Sequence, residues 1–206
     1  MSNKNFIILI GFLTEGVLSL LWFISYYFEL IHPASRTYSL INSSILIYNL
    51  TLPLLLLNYL LFIRFPNQTR KDFLASKVFP LCQILSWPSA LLISIMAGVG
   101  EELFFRDLVL NLFYSNYAHS TWGAILAVLL SSLAFAIIHF IGQIKSSLEL
   151  ICIYTIVGIY FSGIYLYTDS VFICIAVHAI YDFLAIIIYK YTVVRKSASN
   201  QEGQEF

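Results

Sequence analysis

The chain has 206 residues, of which 60% are hydrophobic, 17% aromatic and only 11% charged, and its mean hydropathy is +0.85. A soluble domain carries about 25% charged residues, so this chain has too few polar side chains to cover a water-facing surface and is expected to lie in a lipid bilayer. Its formal net charge of +0 indicates neither a strongly charged partner nor nucleic acid.

Six apolar segments are long enough to cross a membrane, since a helical span takes about 20 apolar residues. They lie at residues 6–28, 44–65, 86–113, 122–142, 149–167 and 171–193. The first is too long for a signal peptide, and no small-residue cleavage site follows it, so we expect a retained span. The stretch FPLCQILSWPSA before the third span is a candidate for a seventh, interfacial or re-entrant element, and Pro88 suits the first turn of the helix that follows.

This pattern predicts an all-α fold, a polytopic membrane helical bundle of about six transmembrane helices. No internal repeat and no linker divides residues 1–193, which we expect to form a single integral membrane domain. Residues 194–206 are a polar tail, expected in the cytoplasm.

The orientation is predicted from Lys and Arg, which concentrate in cytoplasmic loops. The connection RFPNQTRKDFLASK between the second and third spans carries four of them, and the C-terminal end carries three more. The loops YSNYAHST and TDS carry none. With six spans, both termini are therefore expected in the cytoplasm.

Charged side chains interrupt the third span, in SIMAGVGEELFFRDLVLNLF. An ionisable residue at bilayer depth costs a few kcal/mol or more, and it normally faces a bundle interior or a water-filled cavity. Residues i and i+4 share a helix face, so Glu102 is expected to pair with Arg106 and to act as an orienting group. Glu101 points about 100° away, has no such partner on its helix, and is the candidate general base. The alternative is a helix-stabilising ion-pair cluster at a wet interface.

Two later spans each carry a histidine with a second notable residue one turn away. SSLAFAIIHF places Phe135 and His139 on the fourth span, and IAVHAIYDF places His178 and Asp182 on one face of the sixth. A lone histidine on an apolar helix is usually a satisfied core residue. Two histidines on different spans, with a glutamate pair on a third, need partners, and the nearest are each other.

Glu15, in FLTEGVLS, is a further carboxylate within a predicted span. One interpretation is a structural residue paired with Thr14, Asn49 or Asn58. The other is a wall of the cavity or of a substrate gate, and both stay open at the level of the sequence.

The motifs EExxxR at 101–106, FxxxH at 135–139 and HxxxD at 178–182 follow one another on successive helices. This ordered set resembles the CPBP (Abi) family of intramembrane proteases, which includes CAAX prenyl endopeptidases and proteins of bacteriocin processing and immunity. The resemblance covers the family's core, about residues 85–190, and leaves out the first two spans. It implies hydrolysis of a peptide bond in a membrane-associated peptide or protein, and the short Ile- and Phe-rich chain favours a bacterial cell membrane.

The resemblance also implies a role for each matching residue. Glu101 resembles the family's water-activating base, and His139 resembles the histidine that shares this task. Glu102 and Arg106 resemble the supporting pair, and Phe135 belongs to the supporting set.

The remaining motif carries a departure from the family. His178 and Asp182 match the positions that stabilise the oxyanion, but the family often has Asn at the second of them. An ionised Asp would repel an oxyanion to which an Asn amide donates, so Asp182 must be protonated, orient His178, or bind a metal. Asp107 stands where the family commonly has Gly, which bears on fine positioning.

Two mechanisms with the same side chains are open. Two histidines and a carboxylate form a recognised catalytic zinc set, for which Glu101, His139, His178 and Asp182 are the candidate ligands. However, HExxH is absent, and a Glu–His pair activates water without metal. We therefore favour a mechanism without a cofactor and keep zinc as the alternative.

Two further functions compete with hydrolysis. The first is a non-proteolytic membrane partner, such as a bacteriocin immunity protein or a regulator of a sensor kinase. The second is a proton-coupled transporter, which the small size and the lack of a visible repeat disfavour. The complete Glu/Glu/Arg/His/His set favours the enzyme, whose expected partners are membrane lipid and a peptide or protein substrate.

Overall fold

The computed structural model describes the backbone of residues 3–28, 36–117, 120–141 and 147–202, and the side chains of 9–28, 36–117, 120–141 and 147–192. Within these ranges the chain forms helices and no β-strand, which confirms the all-α class. The helices are α1 (Asn3–Tyr27), α2 (Leu40–Asn58), α3 (Gln68–Phe73), α4 (Phe79–Ile84), α5 (Trp87–Glu102), α6 (Asn111–Tyr117), α7 (Thr121–His139), α8 (Leu148–Thr168) and α9 (Val171–Glu202).

Three π-helical segments join some of these helices into longer ones. They are Tyr59–Arg64 after α2, Leu74–Val78 between α3 and α4, and Leu103–Leu110 between α5 and α6. The third segment makes one continuous helix of Trp87–Tyr117, which contains all the charges of the third predicted span.

Six helices of the described chain are long and apolar enough to cross a membrane. They are Leu9–Tyr27, Leu40–Arg64, Trp87–Tyr117, Thr121–His139, Leu148–Thr168 and Val171–Thr192. Each overlaps one segment predicted from the sequence, so the prediction of six spans is confirmed. The chain is an integral membrane protein, whereas the side of the membrane on which its termini lie stays a prediction.

The candidate seventh element coincides with α4, a short helix just before the third span. It is not one of the six candidate spans. The next helix, α5, begins at Trp87 with Pro88 in its first turn, as predicted. At the other end of the chain, α9 continues past residue 193 into the predicted tail, whose last four residues, 203–206, lie outside the described ones.

Helix α5 packs against both α9 and α1. A glycine of α5 lies at each of these two contacts and lets the neighbouring helix come close. A Cβ atom on Gly98 would lie 2.9 Å from the backbone oxygen of Ile175 in α9. A Cβ atom on Gly100 would collide with the carboxylate of Glu15 in α1. Small residues permit such close backbone contacts between membrane helices. Glu101 and Glu102 follow directly, so these contacts position the carboxylates of the third span.

The close contact at Gly98 predicts a stability difference between two Gly→Ala variants. Gly98→Ala should lower the free energy of unfolding by about 1–3 kcal/mol, because the added methyl group overpacks the α5–α9 contact. Gly163→Ala in α8 is the matched control, since a Cβ atom there meets nothing within 4 Å. Unfolding of the purified proteins in mixed micelles measures both. Equal stabilities for the two variants would contradict the close approach of α5 to α9.

Candidate active site

The four residues predicted to be catalytic line one cavity of about 270 Å³. Glu101 comes from α5, His139 from the end of α7, and His178 and Asp182 from α9. The other walls are mostly apolar, with contributions from α2, the π-helical segment after it and α4, namely Leu54, Leu57, Leu61, Phe62 and Leu81. The fold therefore brings together polar residues that are up to 81 positions apart (182 − 101).

Glu102 is fully buried and has two partners. Its Oε1 atom lies 3.2 Å from Nη1 of Arg106, the predicted i,i+4 pair. The same oxygen accepts a hydrogen bond of 2.7 Å from Nδ1 of His178, which sequence spacing did not predict. This bond fixes the orientation of the imidazole, so that Nε2 faces Glu101 at 3.8 Å and Asp182 at 3.5 Å.

Arg106 is fully buried, and aromatic rings surround its guanidinium. The guanidinium carbon lies 4.4 Å from the ring centroid of Phe135 and 5.2 Å from that of Phe161. Its nitrogens make no hydrogen bond to the described residues. The charge is therefore stabilised by Glu102 and by the faces of the rings, which attract a cation.

Phe135 connects the buried ion pair with the exposed part of the site. Its ring lies 4.7 Å from that of His139, centroid to centroid, and its backbone oxygen accepts a hydrogen bond of 2.8 Å from His139 Nδ1. The other imidazole nitrogen, Nε2, lies 3.6 Å from Oε1 of Glu101. Phe135 thus orients His139 towards Glu101.

Glu101 and His139 form the part of the site that is open to other cavities. Glu101 is 9% exposed, and the His139 side chain is 26% exposed. His139 also borders a cavity of about 580 Å³ with more polar walls, including Asp72 and Lys77. This cavity reaches His139 from the side of the connection between the second and third spans.

The π-helical segment begins directly after Glu102. A π-helix leaves some backbone groups without their usual α-helical partners, and such segments occur often at functional sites. The backbone oxygen of Phe105 accepts a hydrogen bond of 2.6 Å from the Ser131 hydroxyl of α7. This contact ties the segment to the helix that carries His139.

Residues 83–184, about half of the chain, match the family model of the type II CAAX prenyl endopeptidases, Rce1-like. The chain belongs to the CPBP family. The match includes every residue of the three motifs and leaves out α1 and α2. No curated protein and no solved structure matches the chain significantly.

Asp107, where CPBP proteins commonly have Gly, does not line the catalytic cavity. It is fully buried, and its two oxygens accept hydrogen bonds from Trp22 Nε1 at 2.8 Å and from the Tyr165 hydroxyl at 2.6 Å. The carboxylate thus connects α1 and α8 to the third span. Sequence reasoning had no signal for these partners, because both lie far away in the chain.

Glu15 lines a separate cavity of about 590 Å³, to which Glu101 and His139 also contribute. The three residues suggested as partners of Glu15 form hydrogen bonds to other groups instead. They are Thr14, Asn49 and Asn58. Of the two interpretations of Glu15, the placement agrees with the cavity wall.

The donor atoms of the candidate site, from two histidines and two carboxylates, are of the kind that zinc takes. Among the side chains described, no group of three or more His, Cys, Asp or Glu is placed to hold a metal. The distance of 3.6 Å between Nε2 of His139 and Oε1 of Glu101 is long for a direct hydrogen bond. Both groups can instead bond to one water molecule, so the geometry suits water activation by the pair.

The buried ion pair predicts that Arg106→Ala reduces the amount of folded protein in the membrane. The substitution removes the cation beside a fully buried carboxylate, at a cost of about 3–5 kcal/mol. Arg64→Ala, at an exposed position, is the control and should accumulate normally. Membrane levels and thermal stability of the two variants test this. A stable Arg106→Ala protein would mean that Glu102 does not need its cation.

Proposed function

We propose that the chain is an intramembrane endopeptidase that hydrolyses a peptide bond in a membrane-associated peptide or protein. The observation that supports this most is the convergence of Glu101 and His139 on a cavity that also holds His178 and Asp182. The family match supports protease activity at the level of the family.

Glu101 is the base of the proposed reaction. Its carboxylate takes a proton from the water molecule while the water oxygen forms a bond to the carbonyl carbon of the substrate. The π electron pair of the carbonyl moves onto its oxygen, which becomes an oxyanion. When the pair returns, the C–N bond breaks and the leaving nitrogen receives the proton. The products are a carboxylic acid and an amine, so atoms and charges balance.

His139 and His178 have different positions in this proposal. Nδ1 of His139 donates to the backbone of Phe135, so its Nε2 faces the water that Glu101 activates. Nδ1 of His178 donates to Glu102, and its Nε2 faces the cavity beside Asp182. Of the roles open to Asp182, orientation of His178 is the one that this contact favours.

The two cavities beside the site suggest how a substrate is accommodated. The apolar walls of the inner cavity suit hydrophobic side chains. The outer cavity, with Asp72 and Lys77, suits a polar segment and admits water. The connection that lines this outer cavity is rich in Lys and Arg, so the proposed mouth faces the cytoplasm.

Glu101→Gln should abolish activity while the protein stays folded, because only the base is removed. Loss of a general base typically costs about 10²–10⁴-fold in rate. The measurement is cleavage of quenched fluorogenic apolar peptides by the purified protein in liposomes. Glu149→Gln, a carboxylate outside the three cavities described here, is the matched control and should cleave at the wild-type rate. Full activity of Glu101→Gln would contradict hydrolysis and favour a non-proteolytic membrane partner.

Asp182→Asn distinguishes the metal-free mechanism from a zinc mechanism. Without a metal, the variant should keep or raise its rate, since an amide donates to an oxyanion, and chelators should not affect the wild type. If Asp182 were a ligand, the variant would bind zinc more weakly, lose activity and recover with added zinc. The same peptide assay with and without zinc decides between them, and a loss that zinc rescues would overturn the metal-free mechanism.

A further inference from the structure

A trio of hydrogen-bonded side chains lies beside the proposed catalytic residues and has no part in the proposed hydrolysis described above. Asn58, a buried residue of α2, donates from Nδ2 to the hydroxyl oxygen of Tyr181 at 2.9 Å. The Asn58 Oδ1 atom accepts a hydrogen bond from the Tyr189 hydroxyl. All three side chains line the cavity that holds Glu101 and His178.

The direction of these hydrogen bonds leaves the hydroxyl proton of Tyr181 without an acceptor among the three side chains. An amide NH₂ group only donates and an amide oxygen only accepts. Tyr189 therefore uses its proton on Asn58, whereas the oxygen of Tyr181 is an acceptor. Among the residues that the structure describes, no group accepts the hydroxyl proton of Tyr181. That proton is available to a molecule in the cavity.

The same region of the site lacks a donor that the family often has. Tyr181 directly precedes Asp182, where many family members have an Asn amide. An ionised Asp cannot donate to an oxyanion. On a helix, Tyr181 lies three residues after His178, so the two side chains leave α9 about 60° apart and reach the same cavity.

We propose that the Tyr181 hydroxyl donates a hydrogen bond to the oxyanion of the tetrahedral intermediate, and that it replaces the amide missing at position 182. Asn58 is the positioning residue, because its NH₂ group holds the phenol oxygen and leaves the proton for the substrate. This inference rests on the proposed hydrolysis. No bond to Tyr181 forms or breaks, and its proton stays on the phenol oxygen while the carbonyl electron pair moves onto the substrate oxygen.

A purely structural role for the trio would be to hold α2 against α9. The chain offers a matched contact of that kind. The Tyr160 hydroxyl of α8 donates to the backbone oxygen of Leu50 in α2 at 2.9 Å, outside the catalytic cavity. Tyr160→Phe therefore removes a tyrosine hydrogen bond to α2 without removing a group from the cavity.

The test compares two dansyl-labelled octapeptides of Leu and Ala, identical except at the central bond. One has an ordinary amide there, and the other has a phosphinate, whose tetrahedral anionic centre resembles the oxyanion. Binding is measured by fluorescence with purified Glu101→Gln protein in liposomes, which leaves the amide peptide intact. The quantity of interest is the ratio of the two Kd values, which does not depend on how much of a preparation is folded.

In the Glu101→Gln parent, the phosphinate peptide should bind at least about 10²-fold more tightly than the amide peptide, as transition-state analogues do. Adding Tyr181→Phe should lower this ratio about tenfold, the effect of one hydrogen bond to a charged group, and should leave the Kd of the amide peptide unchanged. Asn58→Asp should lower the ratio as well, because a carboxylate draws the Tyr181 proton to itself. Adding Tyr160→Phe should leave the ratio unchanged.

Three results would overturn the inference: a ratio near one in the parent, a ratio that Tyr181→Phe does not change, or equal weakening of both peptides by Tyr181→Phe. The third would show a structural role. Peptide cleavage by the protein with Glu101 intact is measured separately. A protein that cleaves but shows a ratio insensitive to Tyr181 would disprove the role of Tyr181 alone, whereas absence of cleavage would count against the proposed hydrolysis.

Discussion

The geometry of the site depends on Glu102, a carboxylate with no exposure to solvent. It lies 3.2 Å from Arg106 and accepts a 2.7 Å hydrogen bond from His178. A buried charge is tolerated only with close partners, so neither partner can turn away without a large cost. One carboxylate therefore fixes the rotation of α9 about its axis and the orientation of the imidazole at the same time.

The two adjacent glutamates point in different directions because of the helix period. A rotation of about 100° per residue directs Glu102 to the buried Arg106 and Glu101 to the cavity. This difference in direction could be predicted from the sequence, as could the placement of His178 and Asp182 on one face of α9. Such contacts depend on spacing within a single helix, and spacing is what a sequence contains.

The parts of the site that the sequence did not predict all depend on contacts between helices. The change to π-helix after Glu102 has no compositional signal, and its Phe105 carbonyl accepts a hydrogen bond from Ser131 of another span. Asp107 bonds to Trp22, and Asn58 bonds to Tyr181, across 85 and 123 residues of sequence. Helix periodicity predicts which residues share a face, but it contains no information about which faces meet. Even the correct prediction of six spans left these pairs undetermined.

The site is built partly from residues that match the family model and partly from residues outside the match. The match covers residues 83–184, which contribute Glu101, both histidines and the ion pair. The first two spans lie outside it, yet α1 reaches Asp107 through Trp22, and α2 supplies Asn58 and part of the cavity wall. The proposed catalytic groups thus lie within the family core, whereas part of the cavity wall comes from α2, a helix that carries no family signal. Since binding energy in an apolar cavity depends on its walls, the proposed hydrolysis makes α2 the helix where the substrate preference of this chain is expected to differ from that of other family members.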